Sequence, residues 1–249
     1  MSLRARPIVG TAGWSIPAAD RARFAHEGSA LERYASRFDG VEINSSFHRP
    51  HRRSTWERWA RSVPPRFKFA VKLPKTISHQ HKLAGCAPLI GPFLDEVAGL
   101  GDRLAILLLQ LPPKLAFDAA LVEAFLNEIC PMIDARLVCE PRHPSWFDAA
   151  ADALLAGRDI ARVAADPACV PAAALPGGWR GLGYWRLHGS PSIYRSSYDE
   201  PRLDSYADSM RANLRAGPWC MFDNTAGSFA TGNALSLMNK LRSGMEQAI

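Results

Sequence analysis

Eight short apolar runs alternate with helix-patterned stretches along this sequence, and that alternation predicts an α/β protein: a TIM-type (β/α)8 barrel with parallel strands. Two further observations support this. The chain has 249 residues, and barrels of this class typically hold about 250. No Gly-x-Gly-x-x-Gly follows the first run, which removes the best support for an open, doubly wound sheet. No linker, low-complexity stretch or internal repeat breaks the alternation, so residues 1–249 read as a single barrel domain.

The strand runs are "IVGTAG" (8–13), "GVEINSSF" (40–47), "RFKFAVKLP" (66–74), "LAILLLQLPP" (104–113), "RLVCEPRH" (136–143), "IARVAAD" (160–166), "GYWRLHG" (183–189) and "WCMFDN" (219–224). Most are rich in Val, Ile, Leu and aromatic residues and close on Gly, Pro or Asn. Several are almost continuously apolar, as expected of parallel strands covered on both faces.

Helical spacing fills the intervals. In "SALERYASRF" (29–38), Leu31, Tyr34 and Phe38 recur at three- and four-residue steps behind a Ser29 cap. In "STWERWARSV" (54–63), Trp56, Trp59 and Val63 share a face and are expected to pack against the sheet. Further helices are predicted over 90–101, 118–129, 146–157, 203–216 and 231–241. The sixth crossover, "VPAAALPGGW" (170–179), is expected to be short and irregular because of its Pro and Gly.

Composition narrows the class. The longest apolar run, "LAILLLQL" (104–111), is far shorter than the roughly 20 residues that span a bilayer, so no membrane partner is expected. The opening "MSLRARPIVG" has neither an apolar signal core nor a cleavage pattern, so no secretion is expected. The five cysteines, Cys86, Cys130, Cys139, Cys169 and Cys220, are widely spaced and contain no Cys-x-x-Cys. That argues against a disulfide framework or a zinc knuckle and predicts a reducing, cytoplasmic setting.

Charge is uneven. Residues 49–82 carry ten Lys/Arg against one acid, Glu57, a local +9; the remainder has twenty bases against twenty-three acids, a net −3. Such a segment is either a solvated basic rim or a field for anionic ligands and phosphate backbones.

Active sites of this barrel class form where the strands exit. Polar residues recur there: Glu42 and Asn44 on the second strand, Lys72 on the third and Gln110 on the fourth. The fifth offers Glu140 and Arg142 with His143 following, the sixth Asp166, the seventh Arg186 and His188, the eighth Asp223 and Asn224. Period-two alternation places Glu42 with Asn44, and Glu140 with Arg142, on one face. A structural network is the bland reading, with Glu42 and Glu140 paired to Arg142 and Arg186. A buried carboxylate–guanidinium plug is often no better than packed hydrophobes, however, which favours a functional pocket.

These residues sit in motifs, "VEINSSFHRP", "KTISHQHKL", "LLLQLPP", "CEPRHPSW", "YWRLHG" and "FDNTAGSFATGNALSL", that in this order resemble the YecE-like family (domain of unknown function 72). "GTAGWS" resembles that family's first strand, and the likeness runs from about Ile8 to Leu241. The resemblance implies an α/β barrel and no established reaction. It places the family's polar positions on Glu42, Asn44, Lys72, His79, Gln110, Glu140, Arg142, His143, Arg186, His188 and Asn224. Asp223 and Thr225 depart from the family's Asn and His, His48 from a Tyr, and Pro141 from an aromatic.

The residues predict an enzyme doing acid–base or hydrolytic chemistry on a phosphate-bearing or other anionic substrate, with Glu42, Glu140 and His188 catalytic. Asn44, Lys72, His79, Gln110, Arg142, His143, Arg186 and Asn224 are the expected substrate-binding set, led by forked and point-charge cations. No cofactor is expected; no nicotinamide, flavin or Walker fingerprint is present. If a divalent metal binds, Glu42, Glu140, Asp166 and His188 are the ligand set, though cations in the same ring compete for those carboxylates. The alternatives are a nucleic-acid-binding or -processing barrel using residues 49–82, where "FHRPHRRSTW" mixes cations with aromatics, and a non-catalytic barrel binding a metabolite or partner.

Overall fold

A computed structural model of the chain describes residues 6–246. The two ends of the single domain expected over 1–249, and the first half of the segment read for a secretion signal, lie outside the described residues. Among the described residues no helix is long and apolar enough to cross a membrane.

The fold is mixed α/β, built on largely parallel sheets. Its strands are β1 (Ile8–Thr11), β2 (Gly40–Ile43), β3 (Lys68–Lys72), β4 (Leu104–Gln110) and β5 (Arg136–Glu140), followed by β6 (Ala161–Arg162), β7 (Ala164–Asp166), β8 (Gly177–Gly178), β9 (Tyr184–Leu187) and β10 (Trp219–Phe222). They form two sheets, ordered β1-β10-β9-β7 and β2-β3-β4-β5-β6-β8. All pairings are parallel except β6 with β8.

The sequence predicted one closed sheet; the ladder instead breaks at two places. Between β1 and β2 only one bridge forms, Ala12 to Glu42, with the Gly13 N–H donating to the Glu42 carbonyl at 2.8 Å. Glycines bring these strands together. A Cβ on Gly10 would stand 2.3 Å from the Gly40 carbonyl oxygen, so the backbones approach where no side chain fits. The Thr11 N–H donates to the Tyr34 hydroxyl at 2.9 Å rather than to a strand. The second break falls at Val163, between β6, which pairs with β5, and β7, which pairs with β9.

Helices lie between most strands: α1 (Ala30–Ala35), α2 (Ser45–His48), α3 (Arg53–Arg61), α4 (Ala87–Val97), α5 (Ala119–Ile129), α6 (Ala149–Ala156), α7 (Glu200–Ala212) and α8 (Ala230–Glu246). Local chemistry starts several of them. Ser29 and Glu32 form a capping box at α1, and Asp118, Asp148 and Asp199 cap α5, α6 and α7. The expected Trp56 packing is present: Trp56 is fully buried and meets Trp59 edge to face at 5.1 Å. The sixth crossover is irregular as expected, with a short 3-10 turn at Pro171–Ala174 and then β8.

Alternation along the strands sorts the apolar residues. Val41, Ile43, Phe69, Val71, Leu107, Leu109 and Cys139 join the large core shared with the helices. The opposite strand face supplies a second cluster that includes Ala70, Ile106, Leu108, Val138, Tyr184 and Met221. One step further toward the strand exits, at the next position of the same parity, stand Lys72, Gln110, Glu140, Arg186 and Asp223. The smaller apolar cluster is thus capped by a layer of polar, mostly ionisable side chains.

Candidate functional site

Arg186 is the hub of that layer. It is fully buried, and three carboxylates hold its guanidinium. Nε lies 2.9 Å from Glu42 Oε2, and Nη2 lies 2.7 Å from Glu42 Oε1. Nη1 donates to Glu140 Oε2, and Nη2 also reaches Asp223 Oδ2 at 3.2 Å. The Tyr184 hydroxyl donates to Glu42 Oε2 at 2.9 Å. Glu42 and Glu140 are themselves fully buried. Buried charges persist only when paired and hydrogen-bonded, and this arrangement meets that condition.

His188 closes a second loop. Its Nδ1 lies 2.9 Å from Asp223 Oδ2 and its Nε2 lies 3.2 Å from Glu140 Oε1. Burial alone would lower its pKa, but the Glu140 charge and the Asp223 hydrogen bond outweigh burial and raise it. Burial likewise pushes Glu140 upward, and the charges of Arg186, His188 and Arg142 overcome that and hold it well below the usual carboxylate range. Asp223 is also lowered: burial opposes, and the His188 hydrogen bond and Arg186 prevail. These directions favour an ionised Glu140 and Asp223 and a protonated His188 between them.

Beyond Glu140 the network continues outward. Gln110 Nε2 donates to both Glu140 oxygens at 3.1 Å, and Lys72 Nζ donates to Gln110 Oε1 at 2.5 Å. The Lys72 ammonium also lies 3.9 Å from the centroid of the Phe47 ring. Arg142 Nε donates to Glu140 Oε1 at 3.0 Å, while 30% of the Arg142 side chain stays exposed. A cleft of about 310 Å³ opens beside Glu140, Arg142 and His188, walled by Pro113, Pro167 and Ile193.

The structure therefore brings together Glu42, Lys72, Gln110, Glu140, Arg142, Arg186 and His188 from the sequence-derived set. His79 stands next to them, its ring 4.9 Å from Phe47 and its Nδ1 2.9 Å from Ser78 Oγ. Other placements differ from expectation. Arg186 does not offer its fork to an anion, because carboxylates already occupy it. His143 caps the turn at Pro144–Phe147, its Nδ1 accepting from the Ser145 N–H at 3.3 Å. Asn224 is buried and donates to the Ser196 carbonyl and Asn233 Oδ1, which ties down a loop. Asn44 lies past the end of β2 at the start of α2, not beside Glu42 on a strand; its Oδ1 is buried without a partner. The run "SSF" is helical rather than strand.

The conditional metal set is also separated. The Asp166 carboxylate is taken by the Tyr198 hydroxyl at 2.6 Å and by Arg202 at 2.8 Å. Glu42 and Glu140 are both paired with Arg186. Among the described residues no group of three His, Cys, Asp or Glu side chains has a metal-holding arrangement.

Two contributors are missing from the sequence-derived site set. Asp223 reads from the sequence only as a strand-exit residue, where the family resemblance leads to an Asn, yet it binds both Arg186 and His188. The signal was present, since Asp223 lies two residues after inward-facing Met221. Tyr184 reads as an apolar strand residue until its hydroxyl is seen on Glu42.

The basic segment does not form one surface. Arg66 and Lys68 stand at the start of β3, opposite the strand exits, and bind Asp39 Oδ1 and the Asp102 carbonyl at 2.6 Å. Arg53 and Arg61 pair with Glu57 along α3. Its tryptophans are packed into Trp14, His51 and each other.

Fold and site together define an α/β protein with largely parallel sheets and a buried ionisable network at its strand exits. The chain belongs to the family described as "Protein of unknown function DUF72", whose family model matches residues 8–248. The motif resemblance pointed to the same family. Over 120 residues the chain is 31% identical to UPF0759 protein YecE of Escherichia coli (strain K12) and 34% identical to that of Escherichia coli O157:H7. The matched stretch is 48% of this chain and 43% of each relative, less than half their length. A DUF72 family protein from Enterococcus faecalis V583 superposes with a TM-score of 0.81 at 19% identity, covering 95% of this chain and 96% of that one. Another, from Thermotoga maritima MSB8, gives 0.76 at 22% identity, covering 95% of this chain and all of that one. These structural likenesses concern the fold.

Proposed function

We propose that this protein is an enzyme carrying out acid–base or hydrolytic chemistry on a phosphate-bearing or other anionic substrate. The observation that carries the proposal is His188, wedged between Glu140 and Asp223 on the wall of a cleft that Arg142 also lines. Asp223 fixes one ring nitrogen and Glu140 the other, so the imidazolium is oriented; a substrate group that displaces the longer Glu140 contact receives the Nε2 proton. Glu42, Glu140 and Asp223 balance Arg142, Arg186 and Lys72 in formal charge. A protonated His188 then leaves the site with one excess positive charge, which favours an anion. Arg142, partly exposed and planar, is the docking group.

In this reading the two sheets form a single (β/α)8 barrel. The Ala12–Glu42 bridge links them on one side, and β6 and β7 continue each other across Val163 on the other. The network then closes the C-terminal face, where sites of such barrels lie. The five free cysteines support a reducing, cytoplasmic setting.

Thermal unfolding against inorganic phosphate, sugar phosphates, nucleotides, divalent metals and short single-stranded DNA or RNA tests the proposal. A ligand at a hundred times its dissociation constant adds about 2.7 kcal/mol of stability. A small anion is expected to raise the midpoint of the native protein and to lose that effect with Arg142→Ala. Ligands that do so then serve as turnover substrates, where His188→Gln is expected to abolish reaction and to weaken binding without removing it, since Arg142 remains. Stabilisation by nucleic acid alone, removed by salt, would replace this reading with a phosphate-backbone binder. Turnover unchanged in His188→Gln would remove the proton role.

A further inference from the structure

Lys72 is the only lysine among the buried residues of the described chain, and its surroundings are unlike those of a structural lysine. No carboxylate oxygen among the described residues lies within 4.0 Å of its Nζ, although Glu140 stands in the same network. Gln110 accounts for the gap. Its amide nitrogen is committed to both Glu140 oxygens, so its Oε1 must face the lysine. A neutral carbonyl thus separates the amine from the anion that would hold it protonated, and accepts a hydrogen bond from –NH3⁺ or –NH2 alike. Phe47 covers another side at 3.9 Å. The chain is fixed, desolvated and adjacent to His79, whose pKa is lowered by burial and by Lys72 itself.

We propose that Lys72 is a covalent site, whose amine forms an imine with the carbonyl group of a small aldehyde or ketone. This rests on the strand-exit site admitting small molecules, but not on the proton role of His188 or on anion docking at Arg142. The nitrogen lone pair attacks the carbonyl carbon, and one N–H proton moves to the carbonyl oxygen to give a carbinolamine. A second proton, from solvent, carries that oxygen away as water and leaves a protonated iminium. Desolvated lysines are activated for this step. Burial, then Arg186, lowers the Lys72 pKa to about 8. At pH 7 such a lysine holds on the order of a hundredfold more free amine than an ordinary one.

Reductive trapping tests the assignment. The full chain is incubated at pH 7 with glycolaldehyde, pyruvate or dihydroxyacetone and sodium cyanoborohydride, which delivers hydride to the iminium carbon and fixes a secondary amine. Intact mass and peptide mapping then read the site. At least one probe is expected to label Lys72 about tenfold or more faster than any exposed lysine, the free-amine advantage less the cost of access. Gln110→Glu, which sets a carboxylate beside the amine, is expected to reduce that labelling about tenfold. Mapping the native protein needs no variant to fold. Labelling of exposed lysines alone, or of Lys72 at their rate, for every probe would overturn the proposal. If the anion-induced thermal shift persists in that case, the lysine assignment fails while the Arg142 reading stands.

Discussion

Arg186 reaches from β9 to β2 and forks onto Glu42, with Nε 2.9 Å from Oε2 and Nη2 2.7 Å from Oε1. The two residues belong to different sheets and are 144 positions apart in the chain. Both are fully buried, so this contact ties the sheets together through charge at the level where the backbone ladder is thinnest.

Removing the hub leaves Glu42 without a cation and takes one from Glu140 and Asp223. Arg186→Ala is expected to destabilise the protein by about 3–5 kcal/mol, because uncompensated buried charges are far costlier than the pair was favourable. Arg186→Lys is expected to recover only part, since an ammonium cannot fork onto Glu42 and also reach Glu140 and Asp223. Urea unfolding of the three proteins measures both; equal stability of native and Arg186→Ala would refute the hub.

Stability should fall on both sides of neutrality for separate reasons. Glu140 and Asp223 are lowered in the folded state, so their contribution is present above the unfolded carboxylate pKa and is lost as pH falls through the folded values. His188 is raised, so its contribution is complete below the unfolded histidine value and is lost as pH rises through the folded one. His188→Gln is expected to flatten the alkaline side of that neutral-pH maximum and to weaken the acid side only in part, because Arg186 still lowers Glu140 and Asp223. Denaturant midpoints across pH check it, and an unchanged alkaline slope would count against the imidazolium bridge.

Lys72 has the opposite sign. Its folded pKa of about 8 is below the ordinary lysine value, so the unfolded chain binds more protons between the two and stability rises with pH across that interval. Lys72→Met, similar in size and uncharged, is expected to remove the rise and to be more stable than the native protein at pH 7. Thermal midpoints at pH 7 and 9.5 distinguish this from a lysine that stabilises the ring.

The Tyr34 hydroxyl is a hinge between local and long-range order. It accepts from the Thr11 N–H at 2.9 Å and donates to the Gly40 carbonyl at 3.3 Å, spanning the β1–β2 seam from α1. Tyr34→Phe keeps the ring in its fully buried place but strands a buried donor, at an expected cost of about 1–3 kcal/mol. Gly10→Ala should cost a similar amount or more by forcing the strands apart at the Gly40 carbonyl. Hydrogen exchange at Thr11 is expected to accelerate selectively in Tyr34→Phe; uniform exchange would deny the local bond.

The order of strands and helices was legible in the chain because it is set by local rules. Apolar runs such as "LAILLLQ" name a buried strand, and Asp118, Asp148 and Ser29 announce helix starts wherever they lie in space. The same alternation placed Glu42, Lys72, Gln110, Glu140, Arg186, His188 and Asp223 at strand exits. Partner choice was decided only by the tertiary structure. Arg142 and Arg186 are the same residue type at strand ends, yet one meets a cleft and the other is saturated by Glu42, Glu140 and Asp223. His143 and His188 likewise divide into a cap and a bridge between Asp223 and Glu140. Pattern fixes which face a side chain takes. Its charge state and partners depend on atoms from strands a hundred or more residues away, such as Tyr184 on Glu42, and on how completely water is excluded between them.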